Sequence, residues 1–232
     1  MQMTDNCELL SIFPTPVVKF KVPDELMRFV PSLKQKLIES PRKVTSHVFS
    51  SNFYILDSLE FKDLKSWLTA RTTEFMRLAL TIDSNAILTQ SWVNRNSPDQ
   101  YTHEHPHQNS IVSGVFYLDV PDGNALIVFH KPSDGGHGHF VLQPKYYEDE
   151  GRDYTYSSGK YKLPISTGEL VLFPSWLIHS VPVNKTDKDR WSLAFNSMPT
   201  IGLGSGPILT EFIYPKSYNL STEQPNLGGN RI

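Results

Sequence analysis

The chain has 232 residues, of which 39% are hydrophobic and 12% aromatic, and a net charge of −2. That suits one large domain, or a core domain with a helical extension, and its balanced charge gives no sign of a nucleic-acid or membrane-surface binder. The single cysteine, Cys7, excludes an intrachain disulfide and fits a reducing cytoplasmic compartment, and neither a secretory leader nor a run of ~18 apolar residues is found.

Residues 9–22 end in alternation and predict a strand. Residues 23–40 open on Pro-Asp-Glu and place Leu26, Phe29, Val30, Leu33 and Leu37 at helical spacing. A stronger helix is expected over 58–80, with Leu64, Trp67, Leu68, Arg71, Phe75, Leu78 and Ala79 in one stripe. From about residue 86 the texture changes to short β-rich runs: 86–94, 110–120, 125–130, 168–173 and 190–197, separated by turn residues. The fold class is therefore mainly β with supporting α: an antiparallel sandwich or barrel with helices on one face. The whole chain reads as a single domain, with a strand and supporting helices over 1–85, the β core over 86–199 and a Gly/Pro/Ser/Asn-rich tail over 200–232. Within the core, residues 131–163 read as an irregular insert rich in glycine, charge and tyrosine. Tyr146, Tyr147, Tyr154, Tyr156 and Tyr161 make it a candidate lid or substrate surface.

Three of the eight histidines fall at His103, His105 and His107. On extended backbone, positions i and i+2 share a side, so either adjacent pair can hold one metal ion. Imidazole suits iron, zinc, copper and nickel, and a two-histidine pair with a third protein ligand leaves positions open for other groups. A third ligand is supplied by His179, which follows the apolar run Leu170–Phe173. Eleven residues later come Arg190 and Ser192, again at i and i+2, with Leu193 and Phe195 facing the other way. A dicarboxylic oxoacid needs a metal at its oxoacid end and a fixed cation at its far carboxylate; arginine offers a planar fork for the latter and a serine hydroxyl adds a hydrogen bond. The order His-x-His, His, Arg-x-Ser meets both needs.

These residues resemble the prolyl-hydroxylase-like branch of the 2-oxoglutarate/Fe(II) oxygenases, and more closely a group of its members common in marine bacteria and their phages. The shared features are Leu-Leu-Ser-Ile-Phe-Pro-Thr-Pro near the start, Trp92-x-Asn94, the run from His105 and His107 through Ser113-Gly114 to Tyr117-Leu118, the run from Gly168 to His179, and Arg190-x-Ser192-x-Ala-Phe-Asn196. They cover roughly residues 9–198. The resemblance implies a double-stranded β-helix with helices on its larger sheet and Fe(II), 2-oxoglutarate and O2 as cofactor and cosubstrates. It implies His179 as the distal metal ligand and Arg190 as the anchor of the far carboxylate, with Ser192, Tyr117 and Asn94 beside it. The chain departs from the common pattern because no acid follows a histidine by two residues. An all-histidine set is therefore expected, His105 and His107 with His179, and His103 is the alternative proximal ligand.

The implied activity is hydroxylation of an unactivated C–H bond. Peptidyl proline is the default substrate and a free amino acid or small metabolite the alternative. Nucleic acid and membrane are not expected as partners, and a phage-encoded copy would act in the host cytoplasm. Two rivals share the fold: a cupin-type metal enzyme that needs no oxoacid, against which Arg190-x-Ser192 argues, and a non-catalytic jelly-roll module in which Trp92, Trp176 and Trp191 stack on a sugar or peptide.

Overall fold

The computed structural model describes residues 14–123, 125–131 and 159–201. Strand β1 (Val18–Lys21) is followed by a 3-10 segment (Asp24–Phe29) and helix α1 (Val30–Glu39). The single helix expected over 23–40 is thus divided. Pro31 sits in the first turn of α1; it has no N–H to donate backward, so an α-helix can begin there but cannot run through it. Short strands β2 (Pro41–Lys43) and β3 (Val48–Ser50) follow, then helix α2 (Lys62–Ala79). The buried side of α2 is Leu64, Leu68, Thr72, Phe75 and Met76. It is rotated from the expected stripe, and Leu78 is consequently exposed in the last turn. Trp67 and Arg71 instead cover the ring of Phe20 on β1.

The β core comprises β4 (Ala86–Asn96), β5 (Thr102–His105), β6 (Val112–Asp119), β7 (Leu126–His130), β8 (Lys160–Pro164), β9 (Glu169–Pro174), β10 (His179–Val181) and β11 (Arg190–Pro199). They form two antiparallel sheets. The larger has the order β1-β9-β6-β11-β4-β3-β2 and the smaller β5-β10-β7-β8. This is the double-stranded β-helix, with the helices on the larger sheet. Strands β2, β3, β5 and β10 carry no alternating signal of their own, being three or four residues long. Strand β8 falls inside the stretch read as irregular insert, so that reading is corrected for residues 160–163: they pair with β7 from Lys160↔His130 to Leu163↔Ile127. Of the proposed lid tyrosines only Tyr161 is described; the other four, and the tail beyond residue 201, lie outside the described residues.

Alternation along the central strands divides the core in two. Phe116 of β6, Leu170 and Leu172 of β9, and Leu193 and Phe195 of β11 pack toward Leu33, Leu37, Leu64, Leu68 and Phe75 of the helices. Their neighbours Tyr117, Val171 and Phe173 point between the sheets, against Ile127 and Phe129 of β7. Gly114 is required where it stands: Phe195 is its ladder partner, and a Cβ built on residue 114 would lie 2.2 Å from the Phe195 ring. Between the sheets, on the same side as Tyr117, a cavity of about 280 Å3 opens.

Candidate metal and oxoacid site

Three imidazoles meet at the mouth of this cavity. His105 ends β5 and His179 begins β10, and the two are directly paired across the smaller sheet. His107 lies just beyond β5, held by its own N–H donating to the Ser175 carbonyl (2.8 Å). The ring centroids are 4.4 to 5.1 Å apart, and one nitrogen from each ring lies within 4.8 Å of the others. The side chain of His103 is outside this group; its ring stands edge-on to Tyr101 at 4.7 Å.

The hydrogen bonds fix which nitrogen each ring presents. Nδ1 of His105 faces the His103 carbonyl (2.7 Å) and Nδ1 of His179 the Leu177 carbonyl (3.1 Å). A carbonyl can only accept, so each Nδ1 carries the proton. Nδ1 of His107 donates to Oδ1 of Asn196, which also accepts from Ser113 Oγ (2.9 Å). Asn196 Nδ2 would be the wrong atom for either bond, and Ser113 is tied in turn to Ser175 (2.8 Å). In the neutral rings this leaves each Nε2 as a lone pair facing the others. Those of His105 and His107 lie 3.2 Å apart, a contact that a shared proton or a metal ion satisfies.

Burial keeps two of the rings, His107 and His179, neutral. It pushes the His179 imidazole well below its ordinary range, with the other two rings adding to the effect. Burial likewise lowers His107 to about 4, only partly opposed by its bond to Asn196. Neutral imidazole is the form that ligates. The donor set thus fits a divalent metal of intermediate softness, with no carboxylate contributing charge.

The second half of the site lies on β11 and its neighbours. Arg190 is 2% exposed, and one guanidinium N–H donates to the Leu126 carbonyl (2.9 Å). Among the described residues no carboxylate pairs with it, and burial lowers its pKa from the ordinary value. Its guanidinium lies over the Tyr117 ring, 5.4 Å from the centroid. Tyr117 is fully buried, its pKa is raised to about 12 by that burial against the pull of the neighbouring Arg190, and its hydroxyl makes no well-formed hydrogen bond among the described residues. A buried unpaired cation beside a buried unpaired hydroxyl is costly unless an anion completes both. Ser192, next on the same side of β11, pairs with Tyr117 on β6 and with Asn94 on β4. Arg190, Ser192, Tyr117 and Asn94 all line the cavity together with the three histidines. The fit to a dicarboxylic oxoacid is therefore good at both ends.

Several residues in or beside the cavity have contacts with the histidines or the lining that the sequence does not predict. Asn196 and Ser113 were legible only as parts of motifs, because the contacts that give them roles span 89 and 83 residues. Trp92 stacks on His107 with centroids 5.6 Å apart, which gives it a packing role beside the histidines. His47 lines the cavity from the turn before β3, its Nδ1 3.0 Å from Ser46 Oγ. No local pattern marks it. Trp176 is exposed and Trp191 buried in the helix-side core, so neither belongs to the cavity lining.

Residues 90–196 match the family model described as "Putative 2OG-Fe(II) oxygenase". No curated protein matches the chain in sequence. Among solved structures, the chain is similar to the non-heme α-ketoglutarate-dependent carbocyclase SnoK from nogalamycin biosynthesis (15% identity, 81% of each chain covered, TM-score 0.59). It is similar to the epimerase SnoN, solved in complex with Fe3+, α-ketoglutarate and nogalamycin RO (16% identity, 94% of this chain and 89% of that one, TM-score 0.59). It is similar also to a Pseudomonas putida prolyl-4-hydroxylase (14% identity, 78% of this chain and 92% of that one, TM-score 0.52). The family match thus covers residues 90–196, from β4 to β11, which carry the three histidines, Arg190 and Ser192, and the fold they stand on is the double-stranded β-helix that these solved structures share.

Proposed function

We propose that the chain hydroxylates an unactivated C–H bond, with Fe(II) held by His105, His107 and His179 and 2-oxoglutarate anchored by Arg190. The observation that carries this reading is the pairing of three converging bare Nε2 atoms with a buried, acid-free arginine in one cavity. When bound, the metal and the oxoacid supply the oxidising chemistry, releasing succinate and carbon dioxide. The chain's own residues bind, orient and exclude water. Arg190 and Ser192 fix the far carboxylate, the Tyr117 hydroxyl gains its missing partner there, and Asn94 flanks Ser192. Asn196 holds His107 in the ligating tautomer.

For the substrate, a peptidyl proline is the first reading, supported by the likeness to the prolyl-4-hydroxylase. A small metabolite is the second, favoured by the higher TM-scores to SnoK and SnoN. The first experiment is anaerobic addition of Fe(II) and 2-oxoglutarate, which should give a weak visible charge-transfer band, followed by air and a succinate assay across peptides and metabolites. Absence of both the band and succinate sinks the reading. Arg190→Ala should weaken oxoglutarate binding by about 30-fold or more, because losing one partner of a buried ion pair costs about 2–5 kcal/mol, and should leave metal binding intact.

A further inference from the structure

The inward-facing metal ligands of the smaller sheet have outward-facing neighbours that form a line of their own. Alternation puts Glu104 on the outer face beside His105, Ser180 beside His179, and His130 beside Phe129. His130 Nε2 lies 2.8 Å from Ser180 Oγ, and His130 Nδ1 lies 3.3 Å from Glu104 Oε1. Lys160 of β8 approaches the same carboxylate oxygen at 3.5 Å. His130 Nδ1 faces the Glu104 carboxylate, and in the neutral ring with its proton on Nδ1, Nε2 accepts from the Ser180 hydroxyl. The contacts run across three adjacent strands, β5, β10 and β7, with β8 attached at the edge. His130 is 8% exposed, an uncommon setting for a histidine that has no part in the cavity.

These three strands need such a device. Strand β10 has three residues and β5 four, and the β5–β10 ladder is irregular: His179 pairs with His105, but Val181 pairs with Thr102. Few backbone hydrogen bonds hold the two ligand-bearing strands in register, and a one-residue slip would turn a ligand out of the cavity. We propose that Glu104, His130 and Ser180 form a positioning clamp on the outer face, which fixes β5 and β10 so that the Nε2 atoms of His105 and His179 converge. The clamp rests on the reading of these histidines as metal ligands. Ser–His–Glu is also the order of an acyl-transfer triad, but Ser180 lies within a ladder, paired with Val128, and not on a turn that would thrust its oxygen forward.

The test uses the metal-free full chain and cobalt(II), with affinity and the visible d–d spectrum as readouts and circular dichroism as the check on fold. His130→Leu removes donor and acceptor and should lower cobalt affinity about tenfold and alter the spectrum, as losses around ligand supports do. His130→Gln keeps one donor and one acceptor and should restore affinity to within about threefold of the parent. Ser180→Ala breaks one link and should fall between the two. Glu169→Gln removes the charge from a Lys19–Glu169 pair between β1 and β9, away from the smaller sheet, and should change neither readout. His105→Ala and His179→Ala should abolish the cobalt spectrum; if they do not, the metal reading fails and the clamp with it. If they do, while His130→Leu and Ser180→Ala bind cobalt as the parent does, or His130→Gln is as impaired as His130→Leu, the clamp alone is overturned.

Discussion

Replacing Asn196 tests the support of the proposed metal site at its most exact contact. Asn196 is 7% exposed, and its Oδ1 receives His107 Nδ1–H and the Ser113 hydroxyl. In Asn196→Leu, Ser113 still has Ser175 at 2.8 Å and can turn its proton there. His107 has no such substitute. Either its Nδ1–H is left buried without an acceptor, at about 1–3 kcal/mol, or the proton moves to Nε2 and occupies the lone pair meant for the metal. Both routes weaken the same equilibrium, so metal affinity should fall about 10- to 100-fold, which corresponds to about 1.4–2.7 kcal/mol. Asn196→Asp should behave differently. The carboxylate keeps the Nδ1 proton in place, so affinity at pH 7.5 is retained. It also favours the imidazolium and so lifts the His107 pKa from about 4, moving the acid limb of metal binding to higher pH. Cobalt(II) titration of the two variants at several pH values, with nitrogen NMR of labelled histidine to read the tautomer, checks both. Asn196→Leu binding cobalt within about twofold of the parent would refute the argument.

Three further outcomes follow from the same geometry. Metal-free protein should lose stability as pH falls from about 6.5 toward 4, because unfolded His107 takes up its proton near 6.5 and folded His107 only near 4; the unfolded state binds more protons across that window, worth about 3 kcal/mol for this residue, and His179 acts in the same direction. Denaturant midpoints that stay flat between pH 7 and 4.5 would contradict this. Tyr117→Phe should show opposite signs in two assays: it removes a buried hydroxyl without a partner, so the ligand-free protein gains up to about 1 kcal/mol by thermal melting, while calorimetric affinity for 2-oxoglutarate falls severalfold. Gly114→Ala drives a Cβ into the fully buried Phe195 ring and should cost about 1–3 kcal/mol, seen as a drop of roughly 2–4 °C in Tm per kcal/mol.

The long strands of the core were legible because each buries two different faces. Residues 170–173 and 190–197 alternate between a helix-side core and the intersheet space, and Arg190, Ser192 and Asn196 fall on the second face by parity alone. Helix α2 was legible from its apolar period, although propensity could not place the buried arc, which tertiary packing turned toward Thr72 and Met76. The short strands were not legible. Residues 41–43 are all exposed and none of 102–105 is buried, hence no alternation of buried and exposed positions is written into them; their strand character comes from partners supplied elsewhere in the chain. The grouping of His105 and His107 with His179, apart from His103, depends on the β5–β10 register and the bond from His107 to Ser175, neither of which has a local signature.

The two halves of the site rest on strands of very unequal length. Arg190 and Ser192 ride β11, ten residues long and paired along both edges, whereas His105 and His179 ride strands of four and three. Local opening follows such differences, since a short ladder frays at a small fraction of the global unfolding cost. Amide hydrogen exchange should accordingly be slow through β11 and faster by orders of magnitude at β5 and β10 in the metal-free chain. A metal held as proposed would then leave by a local excursion of the small sheet while the proposed oxoacid anchor stays folded, so that demetallation and unfolding are separate events with separate rates.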